Sequence, residues 1–266
     1  MSGSNLHKPT PASLYREKEV KSQEAWIPRE EKVEICLNGV PLVILPASPG
    51  MRKELAAGFL FSGGLLEKIE DLSEVKESGN RIEVEIKNPP VITPEARRGW
   101  NREIGSGCGG GANFNNPELL SGKRINPDQL RVPAGEILRG GKEILSRGEE
   151  AADQGRGLHY SFLWAKGEKQ SAARDIARHN TVDKVVGDCL FRGVDFTEAI
   201  LFISGRISSE MVFKAARAGI PVLVSLHTPT DLALEQAESL GLTVVGFLRK
   251  NGFTVFSHPE RIEQDE

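Results

Sequence analysis

Hydrophobic residues near the carboxyl end of the chain form short uninterrupted runs separated by amphipathic stretches. The runs Ala199–Ile203, Val222–Ser225 and Leu242–Phe247 are typical of buried strands. The stretches between them predict two helices, which start near residues 208 and 230 and each end at a glycine. This alternation of strands and helices predicts a parallel sheet with right-handed crossovers.

The pattern upstream predicts a smaller β-rich region. Val33–Leu45 alternates and contains Asn38-Gly39, which indicates a tight hairpin turn between two strands. A helix is expected over Arg52–Leu66, ending near Gly63-Gly64, followed by a strand at Arg81–Ile86. Further expected elements are a helix at Ala134–Arg147 and paired strands at Leu158–Trp164 and Gln170–Ile176.

A helix is also expected after Asn180, which we predict to be its cap, with Asp183 at the reciprocal capping position. Apolar residues then recur at helical spacing, so one side of this helix should face the core. These residues are Val182, Val185, Val186, Cys189 and Leu190.

The chain divides by composition into three parts. Residues 1–30 are polar and are expected to form a loose tail. Residues 31–128 form the β-rich part, which includes a long irregular segment at about 92–128. Residues 129–262 form the α/β part.

Polar side chains follow each of the three predicted parallel strands, where ligands gather in open α/β sheets. Ser204-Gly205-Arg206 follows the first strand and leads to a helix start at Ser208 or Ser209. His227 and Thr228 follow the second strand, and the basic turn Phe247–Gly252 follows the third. Helix N-termini with arginine side chains suit phosphate groups. The alternative is that these Ser and Thr residues are only caps and the cations are only solvated.

The composition is that of an ordinary globular protein. Of the 266 residues, 39% are hydrophobic and 27% are charged, and the net charge of −3 gives no reason to expect nucleic-acid or membrane-surface binding. No apolar run approaches the roughly 20 residues that a membrane span requires. The N-terminus has no signal-peptide pattern, and three widely spaced cysteines suit a reducing compartment, so we expect a cytoplasmic protein without a metal site.

One cysteine has an unusual setting. Cys108 lies in IGSGCGGGANF (residues 104–114), among glycines that provide no side chains to pack against it. Glycine allows positive φ and close backbone approach, so such a loop could present a thiolate to two different partners. The alternative is an incidental thiol in an irregular loop.

Three long motifs resemble the FdhD family of formate dehydrogenase accessory sulfurtransferases. They are ARHNTVDKVVG (177–187), FISGRISSEMVFKAARAGIPVLVS (202–225) and HTPTDLALEQAESLGLTVVGFLRKNGFTVFSHPERI (227–262). ELAAGFLFSGGLL (54–66) is similar to the family's N-terminal helix. The resemblance extends from about Val33 to Ile262.

This resemblance implies a cytidine deaminase-like three-layer α/β sandwich with a mixed, mostly parallel sheet and a smaller N-terminal β-rich part. It implies a homodimer that carries sulfur as a persulfide on Cys108. The donor would be a cysteine desulfurase, and the acceptor would be the molybdenum of a bis-molybdopterin guanine dinucleotide cofactor destined for formate dehydrogenase. GDP or a related guanine nucleotide could occupy the cofactor site. The turn Phe247, Leu248, Arg249, Lys250, Asn251 and Gly252 matches the family's cofactor-binding turn, and Arg206, Ser208, His179 and Asp183 would complete the site.

The cysteine loop departs from the family pattern CGxCG, because the chain reads CGGGA from Cys108 to Ala112. Cys108 aligns with either family cysteine, so Gly111 or Gly105 takes the place of the other. One thiol is enough to hold a sulfane sulfur, but a second would assist its release.

Three functions remain open at this level. The first is the sulfur carrier, and the second is a cofactor-binding chaperone for formate dehydrogenase that has lost sulfur transfer. A deaminase-like nucleotide enzyme is the third, and the absence of the HxE and PCxxC zinc signature argues against it.

Overall fold

The computed structural model describes residues 6–17, 19–89, 124–126, 128, 130–154 and 157–265 of the chain. Its helices are α1 (Arg52–Ser62), α2 (Ala134–Gln154), α3 (Arg178–Phe191), α4 (Ser209–Ala218) and α5 (Asp231–Leu240). The first strands are β1 (His7–Arg16), β2 (Glu19–Pro28), β3 (Glu31–Leu37), β4 (Val40–Ala47), β5 (Leu72–Ser78), β6 (Arg81–Ile86) and β7 (Val132–Pro133). The remaining strands are β8 (His159–Ala165), β9 (Glu168–Asp175), β10 (Ala199–Ile203), β11 (Val222–Ser225), β12 (Thr243–Arg249), β13 (Gly252–Ser257) and β14 (Ile262–Glu263).

The main sheet has six strands in the order β13-β12-β11-β10-β8-β9. β10, β11 and β12 are parallel, which confirms the predicted β-α-β-α-β unit. The sheet as a whole is not mostly parallel, because the pairs β12–β13, β8–β10 and β8–β9 are antiparallel. Short hairpins join β8 to β9 and β12 to β13, and a short connection can join only antiparallel neighbours.

Alternating residues of the central strands build two hydrophobic clusters on opposite faces of this sheet. In β10, Ile200 and Phe202 contribute to the cluster that includes Ile137 of α2. Leu201 and Ile203 contribute to the opposite cluster, which includes residues of α1, α3, α4 and α5. This arrangement confirms the predicted three-layer α/β architecture. The specific likeness to cytidine deaminases stays a prediction.

The N-terminal β-rich region forms a four-stranded sheet in the order β4-β3-β6-β5. The predicted β3–β4 hairpin is confirmed, with Asn38 and Gly39 at φ 47° and 79°. Its apolar side chains belong to the same cluster as those of α3 and α4, so the two compositional parts share one hydrophobic core.

The prediction of a loose N-terminal tail is wrong for residues 7–28, which form regular secondary structure. β1 and β2 form an antiparallel hairpin in which Tyr15 pairs with Val20. Most of its side chains are exposed, so its composition resembles that of a tail even though the backbone groups pair between the two strands. Among the described helices, none has both the length and the low polarity needed to cross a bilayer.

Helix α1 crosses α3 at unusually short distance. A Cβ atom added to Gly187 would lie 1.9 Å from the carbonyl oxygen of Glu54, and one added to Gly58 would lie 1.9 Å from that of Asp183. Only glycine fits at these two positions, so the crossing depends on both. It holds the middle of α3, the helix that begins at Arg178 beside the carboxyl edge of the main sheet.

Candidate functional site

Five segments meet at the carboxyl edge of the main sheet. β9, β10, β11 and β12 all end there, and the antiparallel β8 begins there with His159. We use the name carboxyl edge for His159 together with residues 175–179, 204–210, 225–230 and 247–252. The loops after β10 and β11 are joined by a bridge between Ile207 and Pro229. This is the edge at which the sequence places its anion-binding loops.

The loop after β10 is held by hydrogen bonds on both sides. Ser204 Oγ accepts from the backbone N–H of Tyr160 at 2.9 Å, and Ser225 Oγ donates to the carbonyl oxygen of Gly205 at 2.6 Å. Arg206 is exposed at the apex of this loop. Its backbone is therefore fixed while its guanidinium group faces solvent.

Ser208 occupies the N-cap position of α4, as predicted, but its side chain makes no capping hydrogen bond. Its Oγ is buried and has no partner among the described residues. A buried hydroxyl at a helix N-terminus that does not cap the helix is available to a ligand.

The turn between β12 and β13 is tied to the loop after β11. Phe247 has a left-handed φ of 50°, and its N–H donates to the carbonyl oxygen of His227 at 3.3 Å. Arg249 Nη1 donates to the carbonyl oxygen of Leu226 at 2.7 Å. Leu248 is fully buried, so it anchors the turn in the core rather than facing a ligand. The exposed residues of the turn are Phe247, Arg249, Lys250 and Asn251, and Gly252 begins β13.

His179 lies at the carboxyl edge, at the start of α3. Its Nε2 is 2.6 Å from Glu210 Oε2, in the first turn of α4. The hydrogen bond from His179 lowers the pKa of Glu210 despite its partial burial, so this carboxyl group stays ionised near neutral pH.

Asp183 is not at the carboxyl edge. It is buried, and its Oδ1 accepts hydrogen bonds from Ser62 Oγ at 2.6 Å and from Lys214 Nζ at 2.7 Å. Asp183 therefore joins α1, α3 and α4 through their polar groups. It does not face the loops that would hold a phosphate.

Asn180 is not the helix cap that the sequence predicts. α3 begins at Arg178, and Ala177 occupies the N-cap position. The buried amide of Asn180 instead donates to the Pro46 carbonyl at 2.9 Å and to Asp175 Oδ1 at 3.0 Å. Long-range partners thus outcompete local capping.

Three residues of the carboxyl edge were not among the residues expected to hold the cofactor: His159, Arg178 and His227. A Cβ atom added to Gly205 would lie 3.2 Å from Arg178 Cδ and 3.6 Å from His159 Nδ1. Burial lowers the pKa of His159, and Arg178, His179 and His227 lower it further. The position of each residue at a strand or helix end was the available signal, but the side of the sheet at which β8 begins became known only from the fold.

Neither described cysteine is a suitable nucleophile. Cys189 is buried, as predicted, and burial raises its pKa to about 12. Cys36 pairs with Glu83 of β6 and lies near the charges of Glu34 and Arg81, yet its side chain is fully buried. Burial raises its pKa to about 11. Because the thiolate is the reactive form, both thiols are inert at neutral pH. Cys108 lies outside the described residues.

Within the described ranges, no group of three or more histidine, cysteine and carboxylate side chains is arranged to hold a metal ion. The carboxyl edge holds histidines, arginines and hydroxyl groups, and its two carboxylates, Asp175 and Glu210, are engaged by Lys184 and His179. The histidines, arginines and hydroxyl groups donate hydrogen bonds or carry positive charge, so the edge suits an oxyanion.

Comparison with known proteins gives one consistent family. The model of the FdhD/NarQ family matches residues 28–263. A relative from Sulfolobus acidocaldarius, named "Sulfur carrier protein FdhD", is 36% identical over 247 residues, which are 91% of this chain and 93% of the relative. A protein of the same name from Bacillus subtilis is 31% identical over 252 residues, 94% of this chain and 95% of the relative.

A solved structure is also similar. It is a crystal structure from Desulfotalea psychrophila of a protein described as a formate dehydrogenase accessory protein, with a TM-score of 0.79 and 27% sequence identity. The match covers 97% of this chain and 100% of that chain.

Proposed function

Because the chain belongs to the FdhD/NarQ family, we propose that it is a sulfur carrier that supports formate dehydrogenase. Cys108 takes a sulfur atom from a cysteine desulfurase and passes it to the molybdenum of a bis-molybdopterin guanine dinucleotide cofactor. The observation that carries the proposal is the burial of Cys36 and Cys189, whose raised pKa values leave Cys108 as the remaining candidate thiol.

The loading step is a thiol exchange without net oxidation. The Cys108 thiolate attacks the terminal sulfur of the donor's persulfide, the donor's S–S bond breaks, and the donor leaves as a thiolate. The product is a persulfide on Cys108. Release of the outer sulfur atom as sulfide requires two electrons. Because the family's second cysteine is missing here, an external thiol supplies them.

The carboxyl edge supports the cofactor-binding part of the proposal. We assign the phosphates to Arg206, Ser208, Arg249, Lys250 and Asn251, which carry positive charge or hydrogen-bond donors, and we assign contact with the base to the exposed ring of Phe247. A guanine nucleotide is the fragment that we expect to bind there. Asp183 contributes only by joining α1, α3 and α4 through its buried hydrogen bonds. We further propose a cytoplasmic homodimer.

We predict that Cys108→Ala abolishes sulfur loading. The protein is incubated with a cysteine desulfurase and cysteine, and intact mass spectrometry measures the added mass of one sulfur atom. Cys189→Ala is the matched control and should load normally, because a buried thiol with a raised pKa does not react. Loading of the Cys108→Ala variant would contradict the assignment. So would an unloaded wild-type chain under conditions that load a two-cysteine relative.

The single cysteine of the loop favours a second candidate, a cofactor chaperone without sulfur transfer. The same variant distinguishes the two functions in a formate dehydrogenase activation assay. Full activation by Cys108→Ala would establish the chaperone and exclude the sulfur carrier.

We predict that Arg249→Ala weakens GDP binding by about tenfold or more, because a charge-assisted hydrogen bond contributes about 1.5–3 kcal/mol. Isothermal titration calorimetry measures the change. Arg81→Ala, an exposed arginine on the four-stranded sheet, is the control and should bind GDP as the wild type does. Equal affinities of the Arg249 variant and the wild type would remove this turn from the nucleotide site.

A further inference from the structure

The histidines of the carboxyl edge come from three separate segments, and His227 is linked to the loop after β10 because its N–H donates to Ser225 Oγ, which donates to the carbonyl oxygen of Gly205. His159 begins β8, His179 lies in the first turn of α3, and His227 follows β11. Arg178 lies beside His159, and the backbone of Gly205 passes close to both side chains. A side chain at position 205 would fill this space, so glycine keeps it open.

We propose that His159, Arg178 and His227 form an oxyanion subsite that binds a phosphate group of the nucleotide ligand and takes up a proton when it does so. This inference rests on the proposed function for the identity of the ligand. It assigns a role to three residues outside the predicted cofactor-binding set.

The charges that surround His159 favour this role. Arg178 lies beside it at Gly205, and the charges of Arg178, His179 and His227 all lower its pKa. From α4, the carboxylate of Glu210 contacts His179, and Lys214 lies near that carboxylate. Glu210 therefore interacts with both His179 and Arg178, whereas Lys214 is paired with Asp183. Around Gly205 the two guanidinium groups of Arg178 and Arg206 stand against the carboxylate of Glu210, which is a setting that attracts an anion.

The proton linkage follows from this arrangement. Burial and the cationic neighbours lower the pKa of His159, so its ring is neutral near neutral pH in the free protein. A bound anion adds negative charge beside His159 and so favours the protonated ring. Binding then takes up a proton, and affinity increases as the pH falls.

Calorimetry with two inorganic probes tests the subsite. Titration with pyrophosphate gives the affinity of the subsite for a phosphate-type anion. The affinity for sulfate, whose charge is constant across neutral pH, is measured at about pH 6 and about pH 8, on either side of the ordinary histidine pKa. Repeating the titration in two buffers of different ionisation enthalpy counts the protons taken up. We expect tighter sulfate binding at the lower pH, with net proton uptake.

His159→Gln keeps polarity but cannot become cationic, so we expect about tenfold weaker pyrophosphate binding at about pH 6, which corresponds to one pKa unit of linkage. The variant should also lose the sulfate pH dependence. His227→Gln, at an exposed position, should weaken binding as well and decides the question if the His159 variant does not fold. His258→Gln, whose ring contacts Glu260, is the control and should bind as the wild type does.

Wild-type affinity and pH dependence in the His159 and His227 variants would overturn the subsite. Sulfate affinity that does not change with pH would overturn the proton linkage. Because these probes contain no sulfane sulfur, sulfur loading of Cys108 would still succeed in either case. Failure of the subsite is therefore distinct from failure of the sulfur-carrier function.

Discussion

Replacing Lys184 with methionine should lower the free energy of unfolding by about 3–5 kcal/mol, because it leaves a buried charge without its partner. Lys184 Nζ lies 2.7 Å from Asp175 Oδ2, and the side chains are 2% and 0% exposed. Lys184 also donates to the Ser48 carbonyl at 2.8 Å. The pair thus joins the end of β9 and the helix α3 to the loop before α1. Urea denaturation followed by circular dichroism measures the loss.

The pH dependence of the variant gives a second, independent result. Burial already raises the pKa of Asp175, while Lys184 and the backbone N–H groups of Ala177 and Ser48 oppose that rise. Without Lys184 the pKa rises further above the unfolded value of about 3.9. A group with a raised carboxyl pKa stabilises the fold below its unfolded pKa, and this contribution is lost as the pH rises through the folded pKa. Lys184→Met should therefore lose more stability at about pH 8 than at about pH 5.

The double variant Lys184→Met with Asp175→Asn should recover part of the loss, because no charge is left buried. Lys76→Ala, in the exposed pair with Glu74, is the matched control and should have no measurable effect on unfolding. A Lys184 variant as stable as this control would show that the buried pair contributes nothing to the fold.

Gly187→Ala should be the second most damaging change, with a loss of about 3 kcal/mol, at the upper end of what overpacking costs. The added Cβ atom would lie 1.9 Å from the Glu54 carbonyl oxygen and 2.7 Å from its carbon. Both are backbone atoms, so no side-chain rotation relieves the contact and the two helices must separate. Thermal unfolding measures the shift.

Separation of α1 from α3 also predicts an effect at the carboxyl edge, because α3 begins with Arg178 and His179. We expect weaker pyrophosphate binding by Gly187→Ala in the fraction that remains folded. Gly252→Ala is the stability control, because a Cβ atom there meets nothing within 4 Å. Its stability should change by less than about 1 kcal/mol. An equal effect of the two variants would contradict the close helix crossing.

The strands and helices of the α/β part could be read directly from the sequence. Ala199–Ile203 and Val222–Ser225 are strands over their predicted residues, and Gly219 and Gly241 end their helices in left-handed conformations. These features depend on interactions between residues a few positions apart in the sequence, so the local pattern of residue types is enough to predict them. The three loops after the parallel strands could also be placed together, because parallel strands end at one edge.

Other features depend on partners that are distant in sequence. Asn180 is a plausible local cap, yet Pro46, at a separation of 134 residues, accepts its hydrogen bond. Asp183 looks like a site residue beside His179, yet Ser62 and Lys214 hold it in the core. Cys36 lies near the charged side chains of Glu34 and Glu83, yet it is fully buried. A local pattern contains no information about these contacts.

The sequence by itself determined the family, the order of the α/β elements, the basic turn Phe247–Gly252 and the single cysteine of the glycine-rich loop. Each of these is a property of contiguous residues. Only the tertiary structure decided that His159 and Arg178 lie beside Gly205, that Ser225 links His227 to the same loop, and that Asp183 does not join them. The physical reason is that an antiparallel β8 brings its first residue to the edge where β10 and β11 end. That direction is set by strand pairing across the sheet, not by any local pattern in the chain.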